Sequence, residues 1–420
     1  IPFSWIVRYP DFVMEGRIYH NANQKKRFLI SLAWIAFGCG MLYVRVVGIG
    51  RGLTIGGTWH PDERLSTAAG IGADLSPHWF HYPSLYLYGL QFLHLAFFFL
   101  FRFLGIYEGS FSAFTAGAIV PRYLVARLAT VALSGAVLWM TWRMGRAVGG
   151  KRTGMAASIL LACNPVHLFL SRCATVSMPL TAVVLLAVMA VWRWFLLGGR
   201  GRAAWSGCLV GWAVAVKYNL VTLGILLPAA ALLRRGEARE RRWELGVALA
   251  FVPLAYLVAV PYTLLDFSTF WRDVTAEYLL HGPGGEGPML AGHWNYLVIS
   301  AEAYGLPLLI ALFAGAFLLL RRSPRRACLL TLFPLFHWLV MGALGTRLSR
   351  YLLPTLPLVT ILAAFAVEEV ARFFPTRKGV IRAALLLGLL LPMGIRDLRL
   401  VETFRSPDTR ELATHWIETH

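Results

Sequence analysis

Runs of about twenty apolar residues recur along almost the whole of this 420-residue chain, separated by short stretches that hold most of its charges. Twenty residues of α-helix rise about 30 Å, the thickness of a bilayer's hydrocarbon core. Inside that core a backbone must satisfy its own hydrogen bonds, so only helices and closed barrels can cross. Ten-residue blocks of alternating polarity, the mark of a barrel, are absent. The chain is therefore expected to be an all-α polytopic membrane protein, which fits its 58% hydrophobic content and 15% charged residues. The first apolar run is not a cleavable signal: no small-residue cleavage site follows it, and Pro61-Asp-Glu63 comes next.

The formal net charge of +19 could suggest nucleic acid, but its placement argues against that partner. Basic residues cluster between apolar runs at 25–27, 143–152, 200–202, 234–242, 321–326 and 372–382. Such clusters mark cytoplasmic loops under the positive-inside rule. The cysteines (Cys39, Cys163, Cys173, Cys208 and Cys328) form no CxxC pair and read as small buried hydrophobes.

A topology follows. Residues 1–27 form a cytoplasmic segment and residues 28–396 a transmembrane module, with crossings near 28–47, 123–142, 153–170, 179–197, a short hairpin within 203–233, 244–260, 296–320, 327–345, 351–371 and 380–396. If clusters 25–27 and 143–152 share one side, an even number of crossings separates them. The apolar stretch 85–104, interrupted by Gln91 and His94, then lies along the outer interface. The total is eleven crossings, with outer loops at 48–122 and 261–295. Residues 397–420 open an extracytoplasmic segment, expected to lead from its amphipathic end into a small soluble domain. No internal repeat is visible, which weakens a transporter built on inverted repeats.

One stretch concentrates acids, histidines and aromatics beside a span: Thr58-Trp-His-Pro-Asp-Glu-Arg64, continuing to His78-Trp-Phe-His-Tyr-Pro-Ser-Leu-Tyr86. Carboxylates at a membrane edge are costly and usually functional, although Asp62 and Glu63 could equally cap the helix that follows. Of the cations near helix ends, Lys217 stands out because its hairpin, two helices of about 14 residues and about 21 Å each, is too short to reach the far surface. Arg127, Arg350, Arg347, Arg122 and Arg172 could mark a substrate path or simply snorkel to the interface. His60, His78, His81, His281 and His293 form no defined metal motif and suit hydrogen bonding at a wet interface. Asp266, Asp273 and Glu277 could shape an acceptor side or be solvated loop charges. Trp79, Phe80, Tyr82, Tyr86 and Tyr88 could stack on a sugar, or belong to an interfacial aromatic belt.

The ordered set of motifs resembles the polyprenyl-phosphate-dependent glycosyltransferases of GT-C fold, nearest the protein O-mannosyltransferase and aminoarabinose transferase group. The residues that carry the resemblance are Pro61-Asp-Glu63, His81-Tyr-Pro-Ser-Leu-Tyr86, Arg127, Asn164-Pro165 with Ser171-Arg172, Gly211 to Lys217-Tyr218, Pro261-Tyr262 with Asp266, and Arg350-Tyr-Leu-Leu-Pro354. They cover roughly 55–360. One departure is Ser177, which stands where relatives often carry an Asp.

The resemblance implies transfer of a sugar from a lipid-linked donor to an acceptor (protein, lipid or glycan) on the outer face of the plasma membrane, by direct displacement with inversion. Asp62 then falls at the general-base position, with Glu63 orienting or assisting. Lys217, Arg127 and Arg350, joined by Tyr82, would meet the donor phosphate, whose departure gathers negative charge. His60, His81, Tyr86, Tyr218 and Asp266 are the candidate substrate contacts. A divalent ion (Mg or Mn) held by Asp62 and Glu63 is an open alternative. A transporter or flippase of lipid-linked sugars is the competing function; it would share the groove and the cations but need no base.

Overall fold

The computed structural model describes residues 32, 34–53, 60–72, 74–117, 119–281, 289–344 and 347–420. Thr58 and Trp59, the segment 1–27, the start of the first span at 28–31 and the Gly/Pro run 282–288 lie outside them. Residues up to Val47 form one unit, in which Trp34–Val46 is helical (α1). Gly48–His420 form the other. In chain order this unit holds α2 (Leu65–Ala69), α3 (Leu85–Phe103), α4 (Phe111–Gly117), α5 (Ile119–Gly149), α6 (Lys151–Ala162), α7 (Pro165–Leu170), α8 (Ser177–Leu197) and α9 (Arg200–Val216). A 3₁₀ helix at Tyr218–Ile225 runs into α10 (Leu226–Leu233), followed by α11 (Ala238–Ala259), α12 (Tyr262–Leu265), α13 (Phe267–His281), α14 (Met289–Tyr304), α15 (Leu306–Arg322) and α16 (Pro324–Ala343). A second 3₁₀ helix, Ser349–Thr355, leads into α17 (Leu356–Arg372), α18 (Lys378–Arg405) and α19 (Thr409–Thr419). No strand occurs among the described residues.

Seven of these helices are long and apolar enough to cross a bilayer, or eight if α14 and α15 count as one bent span. The expected single crossing at 296–320 is that pair, bent by 102° at Gly305, whose φ of +85° is open to a glycine. The expected crossing at 153–170 is likewise interrupted. Asn164 stops α6 and caps α7, its side-chain oxygen accepting from the Val166 and His167 N–H groups, while Pro165 supplies a first helical residue that has no N–H to lose. The basic clusters among the described residues are not loops but helix ends around tight turns, as at Gly149-Gly150 between α5 and α6. Acids tie three of them: Glu244 accepts from Trp194, the Gly199 N–H and Arg234, Glu368 pairs with Arg382, and Glu369 pairs with Arg322.

Helix α3 meets the length and apolarity of a span. Its polar interruptions do not face outward as an interfacial placement would favour: Gln91 and His94 are buried, while Phe92, Phe99, Leu100 and Phe103 are exposed. At its other end the module closes on α17, whose residues are almost all buried and which packs against α5, α6 and α15. Helix α9 lies along α11, where Gly207 and Gly211 face the carbonyls of Ala248 and Val252 and leave no room for a Cβ. The packing fixes the end of α9, and so the position of Lys217.

Candidate functional site

Asp62 and Glu63 follow each other in sequence but go to different partners. The Glu63 side chain is fully buried and its two oxygens meet the Nε and Nη2 of Arg127 at 2.8 and 2.7 Å. It also accepts the Ala174 N–H at 2.9 Å, which brings in the turn before α8. Arg127 spends Nη1 on the carbonyls of Ile49, at 2.6 Å, and Arg51, at 3.1 Å. Four of its five N–H groups are therefore engaged inside the protein. In this arrangement Arg127, expected at a donor phosphate, and Glu63, expected to assist catalysis or hold a metal, are each engaged by the other. A buried bidentate pair of this kind joins the segment before α2, α5 and the 171–176 turn into one scaffold.

Asp62 meets Arg350 instead, at 2.7 Å, with side-chain exposures of 12% and 23%. The Asp62 N–H donates to His60 Nδ1 at 3.1 Å. Burial holds His60 below its ordinary pKa of 6.5, against the opposing pull of the Asp62 charge, so at neutral pH this nitrogen is free to accept. Arg350 and Tyr351 ride on the 3₁₀ helix Ser349–Thr355. Lys217, in extended conformation between α9 and the first 3₁₀ helix, places its amine 4.5 Å from the Tyr351 ring centre and 5.3 Å from that of Tyr82. Burial, then the Asp62 charge, pushes the Tyr82 hydroxyl up to about 12, so it stays protonated. Two cations, a carboxylate and a phenol thus converge at the broken ends of helices, where cations bind anions and a carboxylate can take a proton.

The remaining candidates build the walls. Tyr86 is buried and its hydroxyl donates to the Ala174 carbonyl. Tyr218 donates to the Phe80 carbonyl at 3.0 Å, and Asp273 accepts the Phe80 N–H at 2.8 Å. His81 pairs with Glu277 at 2.9 Å, and Asp266 lies 3.7 Å from His78. Residues 261–295, expected as the second outer loop, are thus largely helical where described, and Asp273 and Glu277 on α13 pin the 78–82 segment rather than standing in solvent. Of the other arginines, Arg122 donates to the Thr115 and Leu65 carbonyls, Arg172 lies over the Phe404 ring, and Arg347 donates to the Gly342 carbonyl. Ser177 starts α8, buried.

Among the described residues no group of three His, Cys, Asp or Glu side chains converges as a metal site requires. Asp62 and Glu63, the proposed oxygen ligands, each face an arginine, so their donor set does not fit a divalent ion. The sequence reading did not include His337, which joins the two 3₁₀ helices: its Nδ1 is 2.9 Å from the Thr222 hydroxyl and its Nε2 3.0 Å from the Tyr351 carbonyl. It sits in an apolar run with no motif around it, so no local signal marked it. Tyr351 was visible only as the neighbour of Arg350.

Residues 115–261 match the family model described as dolichyl-phosphate-mannose-protein mannosyltransferase. The matched part contains Arg127, Asn164 and Lys217 but not Asp62 or Arg350. No curated protein matches the chain by sequence. Among solved structures, ArnT from Cupriavidus metallidurans, bound to undecaprenyl phosphate, aligns over 89% of this chain and 76% of its own at 16% identity and TM-score 0.60. An oligosaccharyltransferase from Archaeoglobus fulgidus, in complex with Zn and sulfate, aligns over 87% of this chain at 12% identity and TM-score 0.55. AglB of that organism, in complex with an inhibitory peptide and a dolichol-phosphate, aligns over 88% at 11% identity and TM-score 0.52. The chain spans only 53% and 56% of those two proteins. The fold is GT-C, and the matched family is one of glycosyltransferases.

Proposed function

We propose that the chain is a membrane glycosyltransferase that moves a sugar from a polyprenyl-phosphate donor to an acceptor outside the plasma membrane, with inversion and with Asp62 as general base. The observation that carries this reading is the Asp62–Arg350 pair at 2.7 Å, set beside the Lys217 amine under two tyrosine rings. The family match and the fold support it: the ArnT structure holds undecaprenyl phosphate and that of AglB a dolichol-phosphate.

The donor is a phosphodiester with one negative charge. Lys217, Arg350 and the Tyr82 hydroxyl receive its phosphate. As Arg350 turns to the phosphate it gives up its hold on Asp62, which becomes free to take a proton. The acceptor oxygen attacks the anomeric carbon opposite the phosphate oxygen, and its proton passes to Asp62. The carbon–oxygen bond breaks with its electron pair going to the phosphate, and the cations hold the second charge that appears there. Arginine exchange couples donor binding to base release.

Asp62→Asn keeps the shape and removes the base. Turnover should fall by about 10²- to 10⁴-fold, while undecaprenyl phosphate binding stays close to wild type. Wild-type turnover in this variant would refute the role of base. Unimpaired transbilayer movement of a lipid-linked sugar, with no transfer in either protein, would favour a flippase instead.

A further inference from the structure

Arg64, the residue before α2, is a cation at the site that neither the scaffold nor the donor phosphate accounts for. Its guanidinium carbon lies 5.5 Å from the centre of the Trp79 ring. Its Nε is buried with no hydrogen-bond partner among the described residues. The acids described around it are engaged elsewhere: Asp62 by Arg350, Glu63 by Arg127, Glu277 by His81 and His281, and Asp273 by Arg272 and the Phe80 N–H. From Arg64 the contacts continue along aromatic rings. Trp79 meets Tyr82 edge to face at 5.5 Å and His81 at 5.1 Å. Tyr82 in turn lies 5.3 Å from the Lys217 amine. Arg64 is near enough for its charge to oppose the rise in the pKa of the Tyr82 hydroxyl.

A partly buried guanidinium without a counter-ion costs stability until a ligand supplies the anion. At this site three positive charges, on Arg64, Lys217 and Arg350, stand against the one negative charge of Asp62. A polyprenyl phosphodiester brings one more negative charge and leaves one cation over. We infer that the missing charge is on the sugar: the glycosyl group of the donor carries a carboxylate, as in a uronic acid, and Arg64 binds it while Trp79 and Tyr82 flank the ring. This names the substrate class of the proposed donor site and rests on the glycosyltransferase reading. Lys217 and Tyr82 hold the phosphate at one end of the row of contacts. At the other end the planar carboxylate meets the fork of Arg64 in two parallel hydrogen bonds. A neutral hexose would leave Arg64 unpaired, and an amino sugar would set a second positive charge beside it.

The test uses the full chain in detergent, with undecaprenyl phosphate, undecaprenyl-phosphate glucose and undecaprenyl-phosphate glucuronic acid as separate binding probes. The wild type should bind the glucuronic acid lipid more tightly than the glucose lipid by about tenfold or more. In Arg64→Gln the two sugar lipids should bind alike, while undecaprenyl phosphate binds as in wild type, which also shows that the variant folds. Arg64→Lys keeps the charge without the fork and should retain part of the preference. Lys217→Ala should weaken all three lipids. The inference is overturned if the wild type binds the glucose lipid as tightly as the glucuronic acid lipid, or if Arg64→Gln keeps the preference. It is also overturned if Arg64→Gln weakens undecaprenyl phosphate as much as the glucuronic acid lipid, which would give Arg64 to the phosphate. In those three cases the donor site itself stands, provided undecaprenyl phosphate binds the wild type and is lost in Lys217→Ala. Failure of undecaprenyl phosphate to bind the wild type removes the donor reading, and this inference with it.

Discussion

The two adjacent carboxylates show how much a single residue's role depends on what packs against it. Glu63 is sealed against Arg127 with no side-chain exposure, whereas Asp62 keeps 12% and a partner that is itself accessible. Removing half of a buried pair leaves the other charge without compensation. Glu63→Gln should therefore lower stability by about 3–5 kcal/mol, read as a drop in thermal unfolding temperature of the purified protein. Pairing Glu63→Gln with Arg127→Met should recover part of that loss, since no lone charge then remains. A Glu63→Gln protein as stable as wild type would show that the pair holds nothing together. In the sequence both acids look alike, because Pro-Asp-Glu-Arg gives no indication of which side chain turns inward.

At the scale of elements, the site depends on helices that stop early. Lys217 stands between α9 and a 3₁₀ helix, and Arg350 on another, and His337 of α16 bridges the two. His337→Leu removes both contacts and takes a donor from the Tyr351 carbonyl, while the Thr222 hydroxyl keeps its bond to the Asn219 carbonyl. It should cost about 1–3 kcal/mol and raise KM for the donor, with His337→Gln restoring part of the effect; unchanged KM in both would deny the bridge a role. Where α9 meets α11, Gly211 faces the Val252 carbonyl. Gly211→Leu should force the helices apart at about 1–3 kcal/mol and displace Lys217, seen as weaker co-purification of polyprenyl phosphate. The glycine was legible as part of the motif resemblance, but its reason, a carbonyl of another helix, was not.

For the whole molecule, topology is tested by cysteine labelling. If α3 lies on the outer face, a cysteine at Ser110, just beyond α3, should react with a membrane-impermeant reagent from outside only; labelling from the cytoplasm alone would overturn that placement. Hydropathy by itself determined that this chain is helical and membrane-embedded, and the basic clusters located the tight turns, because both signals are sums over neighbouring residues. The motifs Pro61-Asp-Glu63 and Arg350-Tyr351 likewise mark Asp62 and Arg350 as candidates. Only the tertiary structure decided that Asp62 faces Arg350 while Glu63 holds Arg127, that the span near 305 bends by 102°, and that Arg64 lies over the Trp79 ring. Those outcomes depend on which side chains meet across helices, and in a low-dielectric interior a charge takes the partner that packing brings to it.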